Sequence, residues 1–490
     1  MIKLLVEGRG PLRKKILDKL LEQSGQTIQL GLHLGDRDAD FHSACLSRMD
    51  VRLGRKGHLI KNHLSAGANI PLLSSPEFQK MLETGIEQFH RNSVSYRYRA
   101  HNLTSIQDYL DYFHVLADAY VQEIERAGIT HALFMNVPHL GPDMVLYHVA
   151  KALGLKTLIV SQTFFADSFF SMASIEDFGH LNPQAAKGKP FPIEKGSAPD
   201  LFYMNPAWQQ EGARGKMGWA PVLRCAEFMI RRKPHKLLDM GYMLGLLNRM
   251  RDVYQKLPQW RDPFGKFFHE NELAYFEHLA QYEGQPVDWN AKFVYIPLHN
   301  QPEMSTQSLG GHFRDQLLMV EAIARVLPEG WKIYVKENPR QGTYARGPMF
   351  FHRLTRIRGV QLVPLDTSTH ELSSRAQITA TVAGTAGYEA VRKGKTVVVF
   401  GGAWYKSFPG VFPWHENIDL ETLSRFQFDH AELEAAYGHL QAACHPGIIE
   451  LLYRDRAPAH YDESANITLV AQTLQRLLTG EQALTFAKGS

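Results

Sequence analysis

Apolar positions along the chain fall into short continuous runs that alternate with stretches of helical spacing, a pattern typical of strands followed by helices. From Thr130 the sequence THALFMNVPHLGPDMVLYHVAKALGLKTLIVSQ gives an apolar strand, a turn, an amphipathic helix that ends at a glycine, and a second apolar strand. This order predicts a βαβ unit. With a further strand near 27–32 and a helix over 106–127, residues 1–180 are predicted to form a parallel-sheet α/β domain.

The same alternation returns in the second half of the chain. It begins at KFVYIPLHNQPE, residues 292–303, and continues through a helix over 311–327 and strands near 331–336 and 360. It ends in TATVAGTAGYEAVRKGKTVVVFGGAWY, residues 379–405, which reads as strand, tight turn, helix and strand. We therefore expect a second Rossmann-like domain over 286–430 that faces the first across a cleft, with ligands at the carboxyl ends of the strands.

The two blocks are separated by residues 181–285, which we expect to form a loop and a helical insertion, and residues 431–490 are expected to add C-terminal helices. In the insertion, apolar residues recur at helical spacing beside basic ones: Leu237, Met240, Leu244, Leu247 and Met250. The favoured interpretation is a helix packed on its own domain, because Pro234 and nearby glycines interrupt a long face. The alternative is a helix on a membrane surface.

Composition and charge narrow the class of protein. The chain of 490 residues has 54 Lys and Arg against 50 Asp and Glu. Its net charge of +4 is thinly spread, which argues against a nucleic-acid binder. The chain has no apolar stretch of about 18 residues and no signal peptide, so we expect a cytoplasmic protein, with the basic insertion as the candidate for contact with the inner membrane. The three cysteines lie far apart, so no disulfide or structural zinc is predicted.

The first candidate for chemistry is the glycine turn after the strand ITATV. Gly384 and Gly387 allow the backbone to approach a ligand closely, and the amides of Thr385 and Ala386 begin a new helix that favours a phosphate. Glu389 lies on the same helical face as Thr385 and suits the hydroxyls of a ribose. The alternative is a turn that only lets helix and strand pack. The turn lacks the G-x-G-x-x-G spacing and is not a P-loop.

The second candidate is YVKENPR, residues 334–340, where a predicted strand ends in charged and amide side chains. Lys336 or Arg340 suits the neutralisation of a phosphate, and the turn at Pro339, after Asn338, offers backbone groups to a base edge. A strand-end turn with solvated charges is the alternative.

The third candidate is the polar loop IPLHNQPEMSTQSLGGHFRDQ, residues 296–316. His299, Gln301 and Glu303 follow a predicted strand there, in a density of donors and acceptors that a structural turn does not require.

The fourth candidate is NVPHLGPD, residues 136–143, at a strand end of the first domain. Asp143 lies on the same helical face as Leu146 and Ala150, so its carboxylate falls in line with the buried stripe of its helix. Beside His139, such a carboxylate suits a nucleophile or a base. A first-turn acid that favours the helix dipole is the alternative. No H-E-x-x-H or complete calcium loop occurs, so neither a metal nor a cofactor is predicted.

The segments PLHNQPE, YVKENPR and TVAGTAGYEAVRKGKTVVVFGGAWY together resemble the bacterial capsule polysaccharide synthesis family. Its members include transferases of Kdo, 3-deoxy-manno-octulosonic acid, that use the CMP-activated sugar. The resemblance covers roughly residues 130–170 and 290–415. It implies a GT-B fold, in which the C-terminal Rossmann-like domain holds most of the CMP-sugar donor.

Carried onto this sequence, the family's K-E-H-P motif corresponds to Lys336, Asn338 and Pro339, and its phosphate and ribose turn corresponds to Gly384, Thr385 and Glu389. Asn338 replaces the usual His, which removes a titratable group. For retaining members, the resemblance implies a carboxylate nucleophile at Asp143. The expected activity is transfer of an ulosonic acid, Kdo or a nonulosonic acid such as pseudaminic acid, from CMP onto a glycan or glycolipid acceptor of the cell surface.

Two alternatives stay open at the level of the sequence. One is an inverting transfer, in which Asp143 or His139 is a general base. The other is a non-catalytic subunit that positions polysaccharide for assembly or export.

Overall fold

The computed structural model describes most of both predicted domains and only parts of the insertion between them. The described residues are 1–8, 10–35, 44–47, 75–93, 106–139, 141–165, 167–194, 223, 226–227, 229–231, 234–245, 247–248, 284–301, 303–338, 341, 346, 348–450 and 461–489.

The first sheet has seven strands in the order β13-β6-β5-β4-β1-β2-β3. Its central strands β1 to β5 pair in parallel, and β6 and β13 extend one edge in antiparallel pairing. The strands are β1 (Ile2–Glu7), β2 (Ile28–Gly35), β3 (Ala44–Ser47), β4 (His131–Phe134), β5 (Lys156–Gln162), β6 (Ser168–Met172) and β13 (His445–Pro446).

The second sheet has six strands in the order β12-β11-β10-β7-β8-β9, and every neighbouring pair is parallel. The strands are β7 (Phe293–Pro297), β8 (Lys332–Lys336), β9 (Val360–Leu362), β10 (Ile378–Thr381), β11 (Thr396–Val399) and β12 (Val411–Pro413).

Helices connect the strands of both sheets and cover their faces. They are α1 (Pro11–Gln23), α2 (Pro76–Ser93), α3 (Ile106–Ala127), α4 (Pro142–Ala152), α5 (Met304–Gln307), α6 (Gln316–Arg325), α7 (Pro348–Leu354), α8 (Thr369–Arg375), α9 (Thr385–Arg392), α10 (Leu420–Ser424), α11 (His430–Ala443) and α12 (Glu463–Thr479).

The alternation of side chains along β1 explains the layers of the first domain. Leu4 and Val6 point into an apolar cluster that includes residues of α1 and α12, whereas Leu5 points to the opposite face, where α3 and α4 pack. The cluster on the Leu5 face continues into the second sheet, where it includes Val294 and Val335. The two sheets therefore share one hydrophobic core, and their arrangement confirms the predicted α/β, GT-B-like fold of two Rossmann-like halves.

Two details differ from the sequence-based expectation. The helix predicted over 311–327 is confined to α6, because Gly311 has φ of 53° and a 3₁₀ turn runs from it to Arg314. Asp315 then caps the helix by accepting a hydrogen bond from the backbone N–H of Leu317 at 3.2 Å. The C-terminal segment also contributes more than helices, since β13 joins the first sheet and α12 packs against α1.

Within the described ranges, every helix is too short or too polar to cross a membrane.

Candidate active site

Three of the four candidate segments lie side by side at one edge of the second sheet. The strand order places β7 between β10 and β8, and all three strands run in the same direction. Their carboxyl ends therefore bring the turn at 382–387, the loop at 298–301 and residues 337–338 to neighbouring positions.

The glycine turn presents backbone donors at the start of α9. Gly384 is the N-cap residue in extended conformation, and its N–H donates to Thr381 Oγ1 at 3.2 Å. The N–H groups of Thr385 and Ala386 follow in the first turn, and no hydrogen-bond acceptor among the described residues is recorded for them. Orphan amides at a helix start carry partial positive charge, so this turn is suited to an anion.

The His299 ring packs directly against the Gly384 turn. Its Nε2 lies 2.8 Å from Thr381 Oγ1, the same hydroxyl that accepts from Gly384. A Cβ on Gly384 would overlap the ring, so only glycine fits there. Burial, assisted by the positive charge of Arg346, lowers the pKa of His299 to about 4. His299 is therefore neutral near pH 7 and links the first and third candidate segments.

A buried ion pair that was not predicted from the sequence joins the second and third segments. Arg346 Nη2 lies 2.6 Å from Glu337 Oε1, and both side chains are at most 1% exposed. The same guanidinium donates to the carbonyl of His299 at 2.7 Å and to the side-chain oxygens of Gln301 and Gln341 at 2.9 and 2.8 Å. Burial raises the pKa of Glu337, and the charge of Arg346 opposes that shift. Arg346 thus holds the loops after β7 and β8 together.

The Gln301 side chain is used inside the protein. Its Nε2 donates to the carbonyl of Arg314 at 2.6 Å, and its Oε1 accepts from Arg346. Its backbone N–H donates to Gln341 Oε1 at 2.8 Å. The geometry gives Gln301 a role in shaping the loop, and contact with a donor substrate stays a prediction. Glu303 is the N-cap residue of α5, and its Oε1 accepts from Asn300 Nδ2 at 2.6 Å.

The segment after β9, which the sequence did not single out, faces two of the predicted residues. Lys336 is 7% exposed; burial lowers its pKa, and the nearby carboxylate of Asp366 acts in the opposite direction. Glu389 Oε2 lies 3.7 Å from His370 Nδ1; burial raises the pKa of Glu389, and His370 opposes the shift. Asp366 and His370 sit in the sequence LDTSTHE after a short strand, so polar density at a strand end was the available signal.

Asn338 follows Glu337 at the end of β8, and its N–H donates to Glu337 Oε1 at 2.6 Å. Pro339 and Arg340, the remaining members of the predicted motif, lie outside the described residues.

In the first domain, Asp143 lies in the first turn of α4 and is 3% exposed. Gly141, with φ of 43°, and Pro142 at the first helical position set the start of the helix. The Asp143 side chain is therefore buried, and so are its neighbours from Pro142 to Tyr147 on every side of the helix. His139 precedes the helix, and its Nδ1 lies 2.7 Å from the carbonyl of Val137. Because a carbonyl only accepts, Nδ1 carries the proton in the neutral ring and Nε2 is left as the basic nitrogen.

The loop before α4 touches the second domain. The Ser308 hydroxyl, just after α5, donates to the carbonyl of Pro138 and lies 3.4 Å from Met144 Sδ. A second contact joins Arg314 Nε to Glu87 Oε2 on α2 at 2.6 Å. The segment that carries His139 and Asp143 is thereby adjacent to the segment that follows His299. That the candidates of both domains form one site stays a prediction.

Within the described residues, no group of three His, Cys, Asp or Glu side chains is placed to hold a metal ion. That the site for the CMP-sugar donor works without a metal ion stays a prediction.

The sequence and the structure were compared with known proteins. Residues 285–425 match the family model described as "Capsule polysaccharide biosynthesis protein". No curated protein sequence matches the chain.

Several solved structures resemble this chain. KpsC of Thermosulfurimonas dismutans, described as a beta Kdo 2,7 transferase, has 10% identity over 96% of this chain and 99% of that chain, with a TM-score of 0.34. A KpsC structure from the same organism, described as a beta Kdo 2,4 transferase, has 17% identity over 63% and 79%, with a TM-score of 0.26. The UDP-GlcNAc 2-epimerase from Methanocaldococcus jannaschii has 10% identity over 98% and 100%, with a TM-score of 0.22.

The family match covers the second sheet and each of its candidate segments, at His299, Lys336 and Gly384. Over residues 285–425, less than a third of the chain, this match agrees with the resemblance of the sequence to the capsule polysaccharide synthesis family.

Proposed function

We propose that the protein is a glycosyltransferase of capsule or lipopolysaccharide synthesis that moves an ulosonic acid, Kdo or a nonulosonic acid such as pseudaminic acid, from a CMP donor onto a surface glycan. One observation carries the proposal. The loop just before Asp143 contacts Ser308, which follows the His299 loop, and the His299 ring packs against the turn that begins with Gly384. A site for a departing phosphate and a candidate nucleophile thus come from the two facing domains.

The donor half of the site suits a nucleoside monophosphate. In this proposal the phosphate of CMP accepts hydrogen bonds from the N–H groups of Thr385 and Ala386, and Lys336 adds positive charge nearby. Glu389, on the same helix, accepts from the ribose hydroxyls. Negative charge on the phosphate grows as the sugar leaves, so donors fixed in advance stabilise the transition state without reorganisation. This arrangement requires no metal ion.

The catalytic half is proposed to work by two displacements at the anomeric carbon. An oxygen of Asp143 attacks that carbon while its bond to the phosphate oxygen breaks, and CMP leaves with the electron pair. The acceptor hydroxyl then attacks from the face that CMP left, the bond to Asp143 breaks, and His139 Nε2 takes the hydroxyl proton. Two inversions give net retention of the sugar configuration.

The sugar itself carries a carboxylate, so a further cation is expected near it. Lys406, in the loop after β11, is a candidate within the described residues; its ammonium is partly withdrawn from water, and burial lowers its pKa. Arg340 is a second candidate for this role and lies outside the described residues.

The first experiment measures whether the protein binds CMP. At a hundred times its dissociation constant, CMP stabilises the folded state by about 2.7 kcal/mol and raises the melting temperature. Absence of any shift would contradict the proposal and favour the assembly subunit.

Asp143→Asn tests the nucleophile. The variant is expected to keep its CMP-induced rise in melting temperature and to lose transfer, because an amide oxygen cannot displace the phosphate.

Incubation of the wild type with CMP-Kdo or CMP-pseudaminic acid, without an acceptor, is expected to add the mass of one sugar to the peptide that holds Asp143. Asp315→Asn is the matched control, because asparagine still caps α6. Transfer by Asp143→Asn at the wild-type rate would remove Asp143 from this role.

An inverting transfer with a general base is favoured by one observation, the hydrogen bond that leaves Nε2 of His139 basic. His139→Gln separates the two mechanisms. In the retaining mechanism the variant still forms the adduct at Asp143 and resolves it slowly. In the inverting mechanism no adduct forms in either protein. The His139→Gln variant then loses transfer, because it lacks the general base for the single displacement.

A further inference from the structure

The described part of the insertion exposes many large apolar side chains. Of the residues between 223 and 248 that the structure describes, seven such side chains are exposed: Leu223, Ile230, Leu237, Leu238, Met240, Leu244 and Leu247. Apolar side chains so concentrated on the surface of one short segment mark an interaction site more often than chance exposure.

The exposed side chains include the stripe at helical spacing. Residues 240–245 and 247–248 are helical, and Met240, Leu244 and Leu247 are 69%, 57% and 53% exposed. The expectation that this stripe packs on its own domain is wrong for these side chains. Met229, in contrast, is 2% exposed, so the segment has an inner side that is buried in the protein and an outer side that is apolar and exposed.

The same segment concentrates positive charge. Residues 223–248 contain five Lys or Arg and two Asp or Glu, so their net charge is +3, against +4 for the whole chain. The two acidic side chains each lie beside a basic one, Glu227 at 3.2 Å from Arg231 and Asp239 at 3.4 Å from Lys236. His235 is also exposed.

We propose that this face, defined as the exposed apolar and basic side chains of 223–248, docks on the surface of an anionic lipid bilayer. Apolar side chains next to Lys and Arg suit the boundary between acyl chains and anionic headgroups. Docking of a second copy through the same face is disfavoured, because a twofold interface would bring two segments of charge +3 together. Membrane docking would place the enzyme where a lipid-linked acceptor would lie. The docking itself does not depend on nucleotide binding.

The test is co-sedimentation of the full chain with vesicles. Binding is expected to vesicles that contain phosphatidylglycerol, to weaken as salt is raised, and to be much weaker with pure phosphatidylcholine. Arg231→Gln with Lys236→Gln is expected to weaken binding about 30-fold, the equivalent of about 1 kcal/mol for each basic side chain. Leu238→Ser with Leu247→Ser is expected to weaken it about tenfold or more.

Matched controls are Leu469→Ser, an exposed leucine on α12, and Lys14→Gln with Lys19→Gln on α1, all of which should bind vesicles as the wild type does. All variants should keep the melting temperature and any CMP-induced shift, so failure of docking is distinguishable from failure of the proposed function. Equal binding of the wild type and the Leu238→Ser, Leu247→Ser variant would overturn the proposal. So would a wild-type dimer that those two substitutions convert to a monomer.

Discussion

At the scale of single residues, the candidate site depends on two close contacts of His299. Its ring occupies the space that a Cβ on Gly384 would need, and its carbonyl accepts a hydrogen bond from Arg346. One contact fixes the turn that presents the amides of Thr385 and Ala386, and the other fixes the loop that carries His299 itself.

Gly384→Ala is expected to weaken CMP binding by about 5-fold to 150-fold, because relief of the overlap with His299 costs about 1–3 kcal/mol and displaces the amides. Titration calorimetry with CMP measures the change. Gly245→Ala is the control, since no atom lies within 4 Å of the added methyl group. Unchanged affinity in Gly384→Ala would show that the turn does not hold the nucleotide.

Arg346→Met is expected to destabilise the protein by about 3–5 kcal/mol, because it leaves Glu337 buried without its charge partner. Adding Glu337→Leu should recover part of that loss. Arg353→Met, which removes the partly exposed pairs with Glu321 and Asp315, should cost at most about 1 kcal/mol. Chemical denaturation of the four proteins gives the comparison. If Arg346→Met were no less stable than Arg353→Met, the buried pair would not hold the two loops.

At the scale of elements, the strands and the long helices were predictable because their apolar spacing reports burial directly. The helix predicted over 106–127 is α3, and the βαβ unit that starts near Thr130 is β4, α4 and β5. The start of α6 was not predictable to the residue, because the left-handed φ of Gly311 and the cap at Asp315 depend on tertiary placement. Arg346 was missed because its four acceptors come from two different loops and leave no local pattern.

Thr385→Pro tests α9 as an anion site without disturbing the helix. Proline is tolerated at the first helical position, and Gly384 already has the extended conformation that precedes proline. The variant lacks one N–H that is proposed to donate to the phosphate, so CMP affinity should fall about 10-fold to 150-fold. Thr385→Ala removes only the hydroxyl, so its loss of CMP affinity should be smaller. Equal affinities of the two variants would contradict a role for the amide.

At the scale of the whole molecule, one core joins both sheets, and α12 returns to pack on α1 of the first domain. Three histidines in different parts of the described structure have their pKa lowered to about 4, each mainly by withdrawal from water: His148, His299 and His445. His445 is fully buried, and His148 and His299 are partly buried.

These histidines predict the pH dependence of stability. Between about pH 6.5 and pH 4 the unfolded chain binds protons at these side chains and the folded protein does not, so stability falls as the pH is lowered through that window. Each histidine contributes up to about 3 kcal/mol to the loss, at about 1.4 kcal/mol per unit of pKa. Melting temperatures across the window measure the effect, and a constant melting temperature from pH 6.5 to pH 4 would contradict it.

The most direct test of the proposed nucleotide site is a crystal structure of the protein with CMP. We expect the phosphate to lie within hydrogen-bonding distance of the backbone N–H groups of Thr385 and Ala386, with the ribose toward Glu389. A nucleotide bound elsewhere in the molecule, or a phosphate that makes no contact with these two amides, would contradict it.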